Sequence, residues 1–499
     1  MIDFTAAEIA QITGGELAAN PHLSPSSVVT DSREASPGAL YVAKAGEHAD
    51  GHDFIAAAFS GGAVLTLAER EVLDPDGLPY PSVIVQDAVL AMGALASAVV
   101  ERIRQERAAR GEDFSVIGIT GSAGKTTTKD LLAGILGAQG ATIAPQGSYN
   151  GEIGVPLTVF SADAGTRYLV IEMGATGVGH IRYLCDMVRP DTGVVLCVGT
   201  AHAGEFGGVE NIALAKGEMA EAIPADGRVI LNTDDARVAA MSSRATAPVW
   251  GFSADGDPQA AFRAEDLTLD DDGQPVFTLV FPDGSAHPIA SRLIGLHHVN
   301  NLLAAAAAAY AVGVGPEAIA HSLSEQKAAS RWRMERTERP DGITVINDAY
   351  NANPESMRAA LKTLAQLGRQ RRTWAVLGAM LELGDESIRE HTAIGTQVVR
   401  LNIDQLLVVG KEARALYISA INEGSWGSEA LFAADLDEAE EILGEHLQAG
   451  DLVLFKSSRN VGLRHLGDRI ALRGQAAPAE SASPSTQEKT FGGEEKGQL

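Results

Sequence analysis

VIGITGSAGKTTTKDLL, residues 116–132, joins an apolar run to a glycine-rich turn and then to a helical pattern. The run VIGIT is typical of a buried β-strand, and apolar residues recur with helical spacing after Lys125. A glycine-rich turn between a strand and a helix places backbone N–H groups at a helix N-terminus, where they can hold phosphate. The stretch therefore predicts a phosphate-binding loop inside an α/β domain.

The predicted nucleotide-binding loop comprises Gly121, Ser122, Ala123, Gly124, Lys125, Thr126 and Thr127. Ile119 occupies the place of the first glycine of the full pattern, but Lys125 can still neutralise the β- and γ-phosphates and Thr126 can ligate Mg²⁺. An ordinary strand-to-helix turn with a chance lysine is the alternative. ATP is favoured over GTP because Thr233, in LNTDD, stands where a guanine-specific motif has lysine.

Composition and charge exclude several classes of protein. The chain has 499 residues and a formal net charge of -26, with 65 acidic against 39 basic residues. That length predicts several domains, and that charge disfavours nucleic acid and anionic membranes as partners. Small-molecule chemistry remains as the favoured class of function.

Several features of the sequence predict a cytoplasmic protein. Cys185 and Cys197 lie in apolar surroundings without metal-ligand spacing, which indicates buried thiols in a reducing compartment. The N-terminus lacks the basic and apolar segments of a signal peptide or membrane anchor. The longest apolar run, residues 302–314, is too short to span a bilayer and predicts a buried helix. We therefore expect a cytoplasmic monomer with no membrane insertion.

The pattern of strands and helices divides the chain into four predicted parts. A small α/β domain covers residues 1–110, a central domain 111–326, a third domain 327–474 and a disordered tail 475–499. Apolar strands alternate with helices in the two larger domains, which indicates parallel sheets, while Asp-Gly turns within 266–289 indicate an antiparallel ribbon. We expect an α/β protein with a central P-loop-type parallel sheet and a Rossmann-like C-terminal domain.

Three further residues stand where ligands could bind, although each has an ordinary alternative. Glu172 ends a predicted strand, where it could hold the magnesium of a nucleotide or be a solvated carboxylate. His202 lies in the glycine-rich stretch GTAHAGEFGG and is, taken alone, more typical of a loop histidine than of a ligand. Lys216 lies on a predicted helix beside Glu218, as a surface salt bridge would.

Together these segments resemble the Mur ligases, the ATP-dependent amide-forming enzymes that build the peptidoglycan stem peptide. DSREASPGALYVAKAGEHADGHDFI resembles the family's uridine-diphosphate-binding domain, TGSAGKTTTK its phosphate loop, and AKGE its carbamylated lysine. The resemblance covers nearly all of the chain before the tail. It implies that the first domain binds the UDP substrate, that the second binds ATP, and that the third is the ligase domain that presents the acceptor.

The resemblance also implies roles for individual residues. The catalytic residues would be Lys125, Lys216, His202 and Arg333. Outside the loop, ATP would contact Asn301, Arg333 and Asp348. Magnesium would be held by Thr126, Glu172, His202 and a carbamylated Lys216. The UDP-linked substrate would contact Ser32, Arg33 and Asn150.

Three positions depart from the family pattern. His298 stands where asparagine is usual, Gly151 replaces the second of two asparagines, and Ala379 replaces an acidic residue. None of them is a predicted phosphate or metal contact. The departures therefore concern substrate contacts and leave the reaction unchanged.

The stretches EMGA, DAYNANPESM and VLGAMLELG resemble the family member that joins D-alanyl-D-alanine to UDP-N-acetylmuramoyl-tripeptide through an acyl phosphate. Three alternatives remain: a sister ligase that adds meso-diaminopimelate or lysine to the UDP-linked dipeptide, a folate-type glutamyl ligase, and a non-catalytic nucleotide-binding scaffold. The UDP-type first domain disfavours the folate enzyme. A scaffold would leave Glu172, His202, Lys216 and Arg333 without a purpose.

Removal of residues 475–499 is expected to leave turnover nearly unchanged, because the composition of this segment cannot build a binding site. Steady-state phosphate release by the shortened and full-length chains measures the effect. A large loss of turnover in a shortened chain that still folds would contradict the prediction.

Overall fold

The computed structural model of the chain describes residues 4–46, 49–145, 147–200, 203–424 and 428–473. These residues contain three β-sheets, of five, nine and six strands, with helices packed on them. The predicted α/β class is confirmed. His202 and the predicted disordered tail at 475–499 lie outside the described residues.

The N-terminal sheet is small and mixed. Its strands are β1 (Glu16–Ala18), β2 (Ser27–Val29), β3 (Ala39–Val42), β4 (Ala63–Ala68) and β5 (Ser82–Ile84). The helices of this region are α1 (Ala6–Thr13), α2 (Ile55–Ser60) and α3 (Ala88–Ala109). In the spatial order β1-β5-β4-β3-β2, only β1 with β5 is antiparallel. The region therefore has the α/β character predicted for it.

The central sheet carries the phosphate loop. Its strands are β6 (Ser115–Thr120), β7 (Thr142–Ile143), β8 (Tyr168–Glu172), β9 (Thr192–Val195), β10 (Arg228–Asn232), β11 (Val249–Ser253), β12 (Phe262–Leu269), β13 (Pro275–Val280) and β14 (Ala286–Ala290). Its helices are α4 (Lys125–Gly137), α5 (Gly154–Val159), α6 (His180–Val188), α7 (Ala203–Phe206), α8 (Val209–Ala222), α9 (Ala236–Ala240), α10 (His298–Ala311) and α11 (Pro316–Glu325). The spatial order is β14-β13-β12-β11-β10-β9-β6-β8-β7. The predicted parallel strands are confirmed, and the predicted antiparallel ribbon, β12 to β14, extends the same sheet.

The C-terminal sheet is parallel except at one edge. Its strands are β15 (Glu335–Glu338), β16 (Thr344–Asn347), β17 (Thr373–Leu377), β18 (Gln405–Val409), β19 (Ala430–Ala433) and β20 (Leu452–Lys456). Its helices are α12 (Pro354–Leu367), α13 (Ser387–Arg400), α14 (Arg414–Glu423), α15 (Leu436–His446) and α16 (Leu463–Leu472). The spatial order is β15-β16-β20-β17-β18-β19, with β15 antiparallel to β16. Short 3₁₀ helices along the chain occupy Ser32–Glu34, Gly51–Phe54, Met241–Arg244, Gly384–Glu386, Lys411–Ala413 and Arg459–Val461.

Two helices explain how the core positions the loop. The alanine-rich α10 packs on α4 and the central sheet, and its alanines 304–309 are fully buried. Their small side chains allow close helix packing beneath the phosphate loop, and the predicted buried helix is confirmed. α3 packs on α1 and β4 on one side and on α5 and α6 on the other, within one continuous apolar core.

None of the helices in the described parts of the chain combines the length and the apolar character that a membrane crossing requires. α3 is the longest helix of the N-terminal region, and its N-cap residue is Asp87, whose carboxylate accepts the backbone N–H groups of Val89 and Leu90. α3 joins the N-terminal and central domains, because it packs against helices of both.

Candidate nucleotide-binding and catalytic site

A cavity of about 890 Å³ lies between the central and C-terminal sheets and is called the interdomain cavity. Its central wall includes residues from 121–127, 148–152, 172–176, Lys216 and 297–301. Its C-terminal wall includes residues from 333–334, 348–356, 381–383 and 456–460. Both walls lie at the carboxyl ends of parallel strands, which is where open α/β sheets bind ligands.

The phosphate loop connects β6 to α4 and requires glycine at two positions. Gly121 and Gly124 have φ angles of 158° and 84°, and a side chain at Gly124 would collide with the amide oxygen of Asn301. Lys125 begins α4, and its Nζ donates a hydrogen bond to the carbonyl of Gly121 at 2.7 Å. Burial lowers the pKa of Lys125, while the charge of Glu172 opposes that shift.

Glu172 has no exposed surface and is surrounded by neutral donors. Thr126 Oγ1 donates to Glu172 Oε2 at 2.8 Å, and both Ser148 Oγ and Asn150 Nδ2 donate to Oε1 at 2.8 Å. The alternative of a solvated strand-end carboxylate is therefore wrong. A buried carboxylate beside a threonine hydroxyl is the oxygen donor set that Mg²⁺ prefers.

Lys216 is buried within α8, with 5% of its surface exposed. Burial, and to a smaller extent the charge of Lys125, lowers the pKa of Lys216 to about 7. Glu218 instead accepts the backbone N–H groups of Gly179 and Arg182, at 2.6 and 2.9 Å. The surface salt bridge considered for Lys216 is therefore wrong, and this buried lysine lines the interdomain cavity.

Arg333 reaches from the C-terminal side to the phosphate loop. Its Nη2 donates to Thr126 Oγ1 at 2.8 Å, and its guanidinium carbon lies 4.4 Å from the ring centroid of Tyr350. Trp332 and Met334 flank it with left-handed φ angles of 60° and 52°, which are strained for residues other than glycine. This backbone points the Arg333 side chain across the domain boundary.

Asp348 anchors the strained segment and forms a buried ion pair. Its Oδ1 accepts the backbone N–H of Met334 at 3.1 Å, and its Oδ2 lies 2.6 Å from Lys456 Nζ. Lys456 is only 2% exposed, so it is a buried lysine rather than a surface one. Asp348 and Lys456 both line the interdomain cavity.

Asn301 lies under the loop and beside two histidines. Its Nδ2 lies 3.2 Å from His298 Nδ1, and its Oδ1 lies 3.4 Å from Thr128 Oγ1. Burial lowers the pKa of His298 and brings that of His297 to about 4, so both rings are neutral at pH 7. His298, one of the departures from the family pattern, therefore serves as a neutral hydrogen-bonding partner of Asn301.

Three family models match the chain: the Mur ligase middle domain over 119–309, the Mur ligase glutamate ligase domain over 332–459, and the Mur ligase family catalytic domain over 26–109. The UDP-N-acetylmuramoyl-tripeptide–D-alanyl-D-alanine ligase of Mycobacterium tuberculosis (strain ATCC 25618 / H37Rv) is 41% identical over 508 residues, covering 94% of this chain and 98% of that relative.

The chain belongs to the Mur ligase family.

Solved structures agree with this assignment. MurF from Acinetobacter baumannii superposes with a TM-score of 0.83 at 30% identity, covering 94% of this chain and 99% of that one. MurF from Thermotoga maritima, in complex with ADP, superposes with a TM-score of 0.75 at 26% identity, covering 89% and 97%. The three-domain Mur ligase fold is therefore confirmed for this chain.

The predicted site residues of this Mur ligase fall into three groups. The interdomain cavity is lined by Gly121, Ser122, Ala123, Gly124, Lys125, Thr126, Thr127, Asn150, Glu172, Lys216, Asn301, Arg333 and Asp348. Ser32 and Arg33 lie elsewhere, in the 3₁₀ helix after β2, where the exposed Arg33 pairs with Asp31 at 2.5 Å. His202 lies outside the described residues.

Sequence analysis missed the residues that hold the C-terminal wall against the loop. Glu355 Oε1 accepts the N–H and the hydroxyl of Thr200 at 2.9 and 3.0 Å, and Asn353 Nδ2 donates to the carbonyl of Ser122 at 3.1 Å. Ser148, which binds Glu172, was missed as well. The stretch DAYNANPESM contains two of these residues, but spacing along the chain does not show what they contact across a domain boundary.

Replacing Asp348 with asparagine is expected to destabilise the protein by about 3–5 kcal/mol, because Lys456 would remain buried with an unpaired charge. Urea denaturation measures the change. The double variant Asp348→Asn, Lys456→Met removes that charge and should recover much of the loss. Equal stability of Asp348→Asn and the natural chain would contradict the buried ion pair.

Proposed function

We propose that this chain ligates D-alanyl-D-alanine to UDP-N-acetylmuramoyl-tripeptide with hydrolysis of ATP to ADP and phosphate, giving the UDP-linked pentapeptide of peptidoglycan synthesis. The observation that carries the proposal is the 41% identity over 94% of the chain to a relative of that name. We further propose that the enzyme acts as a cytoplasmic monomer. Its net charge of -26 and its nucleotide-linked substrate are in keeping with that location.

The chemistry requires activation of a carboxylate, which is a poor electrophile. The γ-phosphoryl group of ATP passes to the terminal carboxylate of the tripeptide, ADP leaves, and an acyl phosphate remains. The amine of the dipeptide then attacks the acyl carbon, phosphate leaves, and the amine loses a proton. Lys125 and Arg333 flank Thr126 in the interdomain cavity, so they can stabilise the charge of the transferring group.

Thr126 and Glu172 fit a magnesium ion, since their oxygen atoms lie 2.8 Å apart and the other partners of the buried carboxylate, Ser148 and Asn150, are neutral donors. A bound magnesium ion would neutralise phosphate charge and act as a Lewis acid. Thr126 and Glu172 would hold the phosphate end of the nucleotide, while Asn301 and Asp348, on the cavity walls, would contact the rest of it.

Lys216 is proposed to carry a carbamate. With a pKa lowered to about 7, a substantial fraction of its amine is neutral near neutral pH. A neutral amine can attack CO₂, form an N–C bond and release a proton, which leaves an anionic oxygen ligand. Together with His202, this group would complete a second magnesium site, while Ser32, Arg33 and Asn150 would bind the UDP-linked substrate.

An acceptor panel tests the proposed function directly. With ATP, magnesium and a UDP-N-acetylmuramoyl-tripeptide carrying diaminopimelate or lysine, phosphate release is expected to be fast with D-alanyl-D-alanine. We expect D-alanine, L-lysine and meso-diaminopimelate to be roughly a hundredfold or more slower, since two unpaired polar groups cost about 1–3 kcal/mol each. Mass spectrometry should identify the UDP-linked pentapeptide.

Two outcomes of the panel would contradict the proposal. Ligation of diaminopimelate or lysine to the UDP-linked dipeptide, with none of D-alanyl-D-alanine to the tripeptide, would assign the chain to the sister activity. Nucleotide binding without phosphate release under any pairing would favour a non-catalytic scaffold.

Carbamylation of Lys216 predicts a pH-dependent signal. Protein incubated with ¹³C-bicarbonate should give a carbamate resonance in NMR spectra well above pH 7, and acidification through about pH 7 should remove it, because the protonated amine cannot react. Lys216→Met should abolish the resonance, whereas Lys411→Met, on the C-terminal domain, should keep it. A resonance that survives Lys216→Met would place the carbamate elsewhere.

A further inference from the structure

Residues 330–333, called the crossing segment, lead from the central domain into the C-terminal domain along α4. The segment is bonded to α4 at both of its ends: Ser330 Oγ donates to Asp130 Oδ2 at 2.6 Å, and Arg333 Nη2 donates to Thr126 Oγ1 at 2.8 Å. Residues four apart on an α-helix lie on the same face, so Thr126 and Asp130 offer their side chains one turn apart. The crossing segment therefore lies along one face of the helix that begins at the phosphate loop.

The spacing of the two attachments limits where Arg333 can lie. Four residues of α-helix rise about 6 Å, and three residues of chain reach at most about 10–11 Å. Once Ser330 is bonded to Asp130, the backbone of Arg333 is therefore confined to within about 11 Å of Ser330, near the first turn of α4. This bond replaces a search by a whole domain with a search by one side chain.

Asp130 is itself held in place. Its Oδ1 lies 2.5 Å from Nζ of Lys129, whose side chain is only 3% exposed. The same Nζ donates a hydrogen bond to the carbonyl of Pro145 at 2.8 Å. Lys129 therefore fixes the carboxylate of Asp130, and the second oxygen of that carboxylate accepts from Ser330.

The far end of the crossing segment is held by the C-terminal domain. Trp332 and Met334 have left-handed φ angles of 60° and 52°, and Asp348 Oδ1 accepts the backbone N–H of Met334. A strained turn of this kind persists only where its surroundings hold it. Asp348 holds it from the C-terminal domain, and Asp130 holds it from the central domain through Ser330.

We propose that Asp130 is a positioning residue for phosphoryl transfer: by holding Ser330, it keeps Arg333 beside Thr126 and the transferring group. The inference rests on the proposed function, in which Arg333 stabilises that group. Asp130 does not line the interdomain cavity, so it acts through Ser330 and not by contact with a ligand. The alternative is a bond that only ties two domains together, whose loss would lower stability and leave the contribution of Arg333 unchanged.

Ser330→Ala tests the proposal, because it removes the bond while Lys129 keeps its carboxylate partner. We expect kcat for phosphate release to fall about tenfold, with the Kd for ATP within about twofold of the natural chain. Ser330→Thr retains a hydroxyl and should restore most of the rate. Ser324→Ala, at a half-buried serine of α11 whose hydroxyl donates to the carbonyl of Ala320, should leave kcat unchanged.

A double-mutant cycle separates positioning from a merely structural contact. If Ser330 acts through Arg333, adding Ser330→Ala to Arg333→Ala should lower kcat by less than about twofold, because no guanidinium remains to be positioned. A structural contact would instead lower kcat by the same factor with and without Arg333. Single-turnover phosphate release measures the rates, and urea denaturation confirms that each variant is folded.

A fall in kcat confined to chains that retain Arg333 supports the proposal. An unchanged kcat in Ser330→Ala, or an equal loss in both backgrounds, would overturn it. The assay uses the UDP-linked peptide and amine that react fastest in the acceptor panel, so a different acceptor would contradict the proposed function and not this inference. Absence of phosphate release with every pairing would contradict both.

Discussion

The hydrogen bond from Arg333 Nη2 to Thr126 Oγ1, at 2.8 Å, is the contact on which the site depends. Thr126 in turn donates to Glu172 at 2.8 Å, so a chain of hydrogen bonds runs from the C-terminal domain through the phosphate loop to the central sheet. The strained backbone around Arg333 is held by Asp348 within its own domain. The positive charge therefore reaches the phosphate loop only when the two domains lie together.

The two domain boundaries differ in physical character. One continuous apolar core, with α3 inside it, joins the N-terminal and central domains, so separating them would expose a large apolar surface. The described contacts between the central and C-terminal domains that flank the site are polar: Glu355 with Thr200, Asn353 with Ser122, and Ser330 with Asp130 at 2.6 Å. Water can replace such contacts at small cost, so this boundary is the one suited to opening for substrates.

Local patterns explain what the sequence predicted. The phosphate loop, the parallel strands and α10 follow from turn chemistry and apolar periodicity over short stretches. The capping box of Thr5 and Glu8 would have predicted the start of α1 in the same way. Contacts between distant segments leave no such pattern. The pairing of Lys456 with Asp348 joins residues 108 positions apart in the chain, and the bond of Glu355 to Thr200 forms only when two sheets meet. That Ser32 and Arg33 do not line the cavity is equally a property of the assembled domains.

The most direct test of this account compares turnover with ATP binding in Arg333→Ala. If domain closure delivers the guanidinium to the transferring phosphoryl group, kcat should fall by about a hundredfold or more, while the Kd for ATP changes by less than about threefold. Single-turnover phosphate release and equilibrium titration with ATP measure the two quantities. An unchanged kcat with weakened ATP binding would contradict the account, because Arg333 would then serve only to bind the nucleotide.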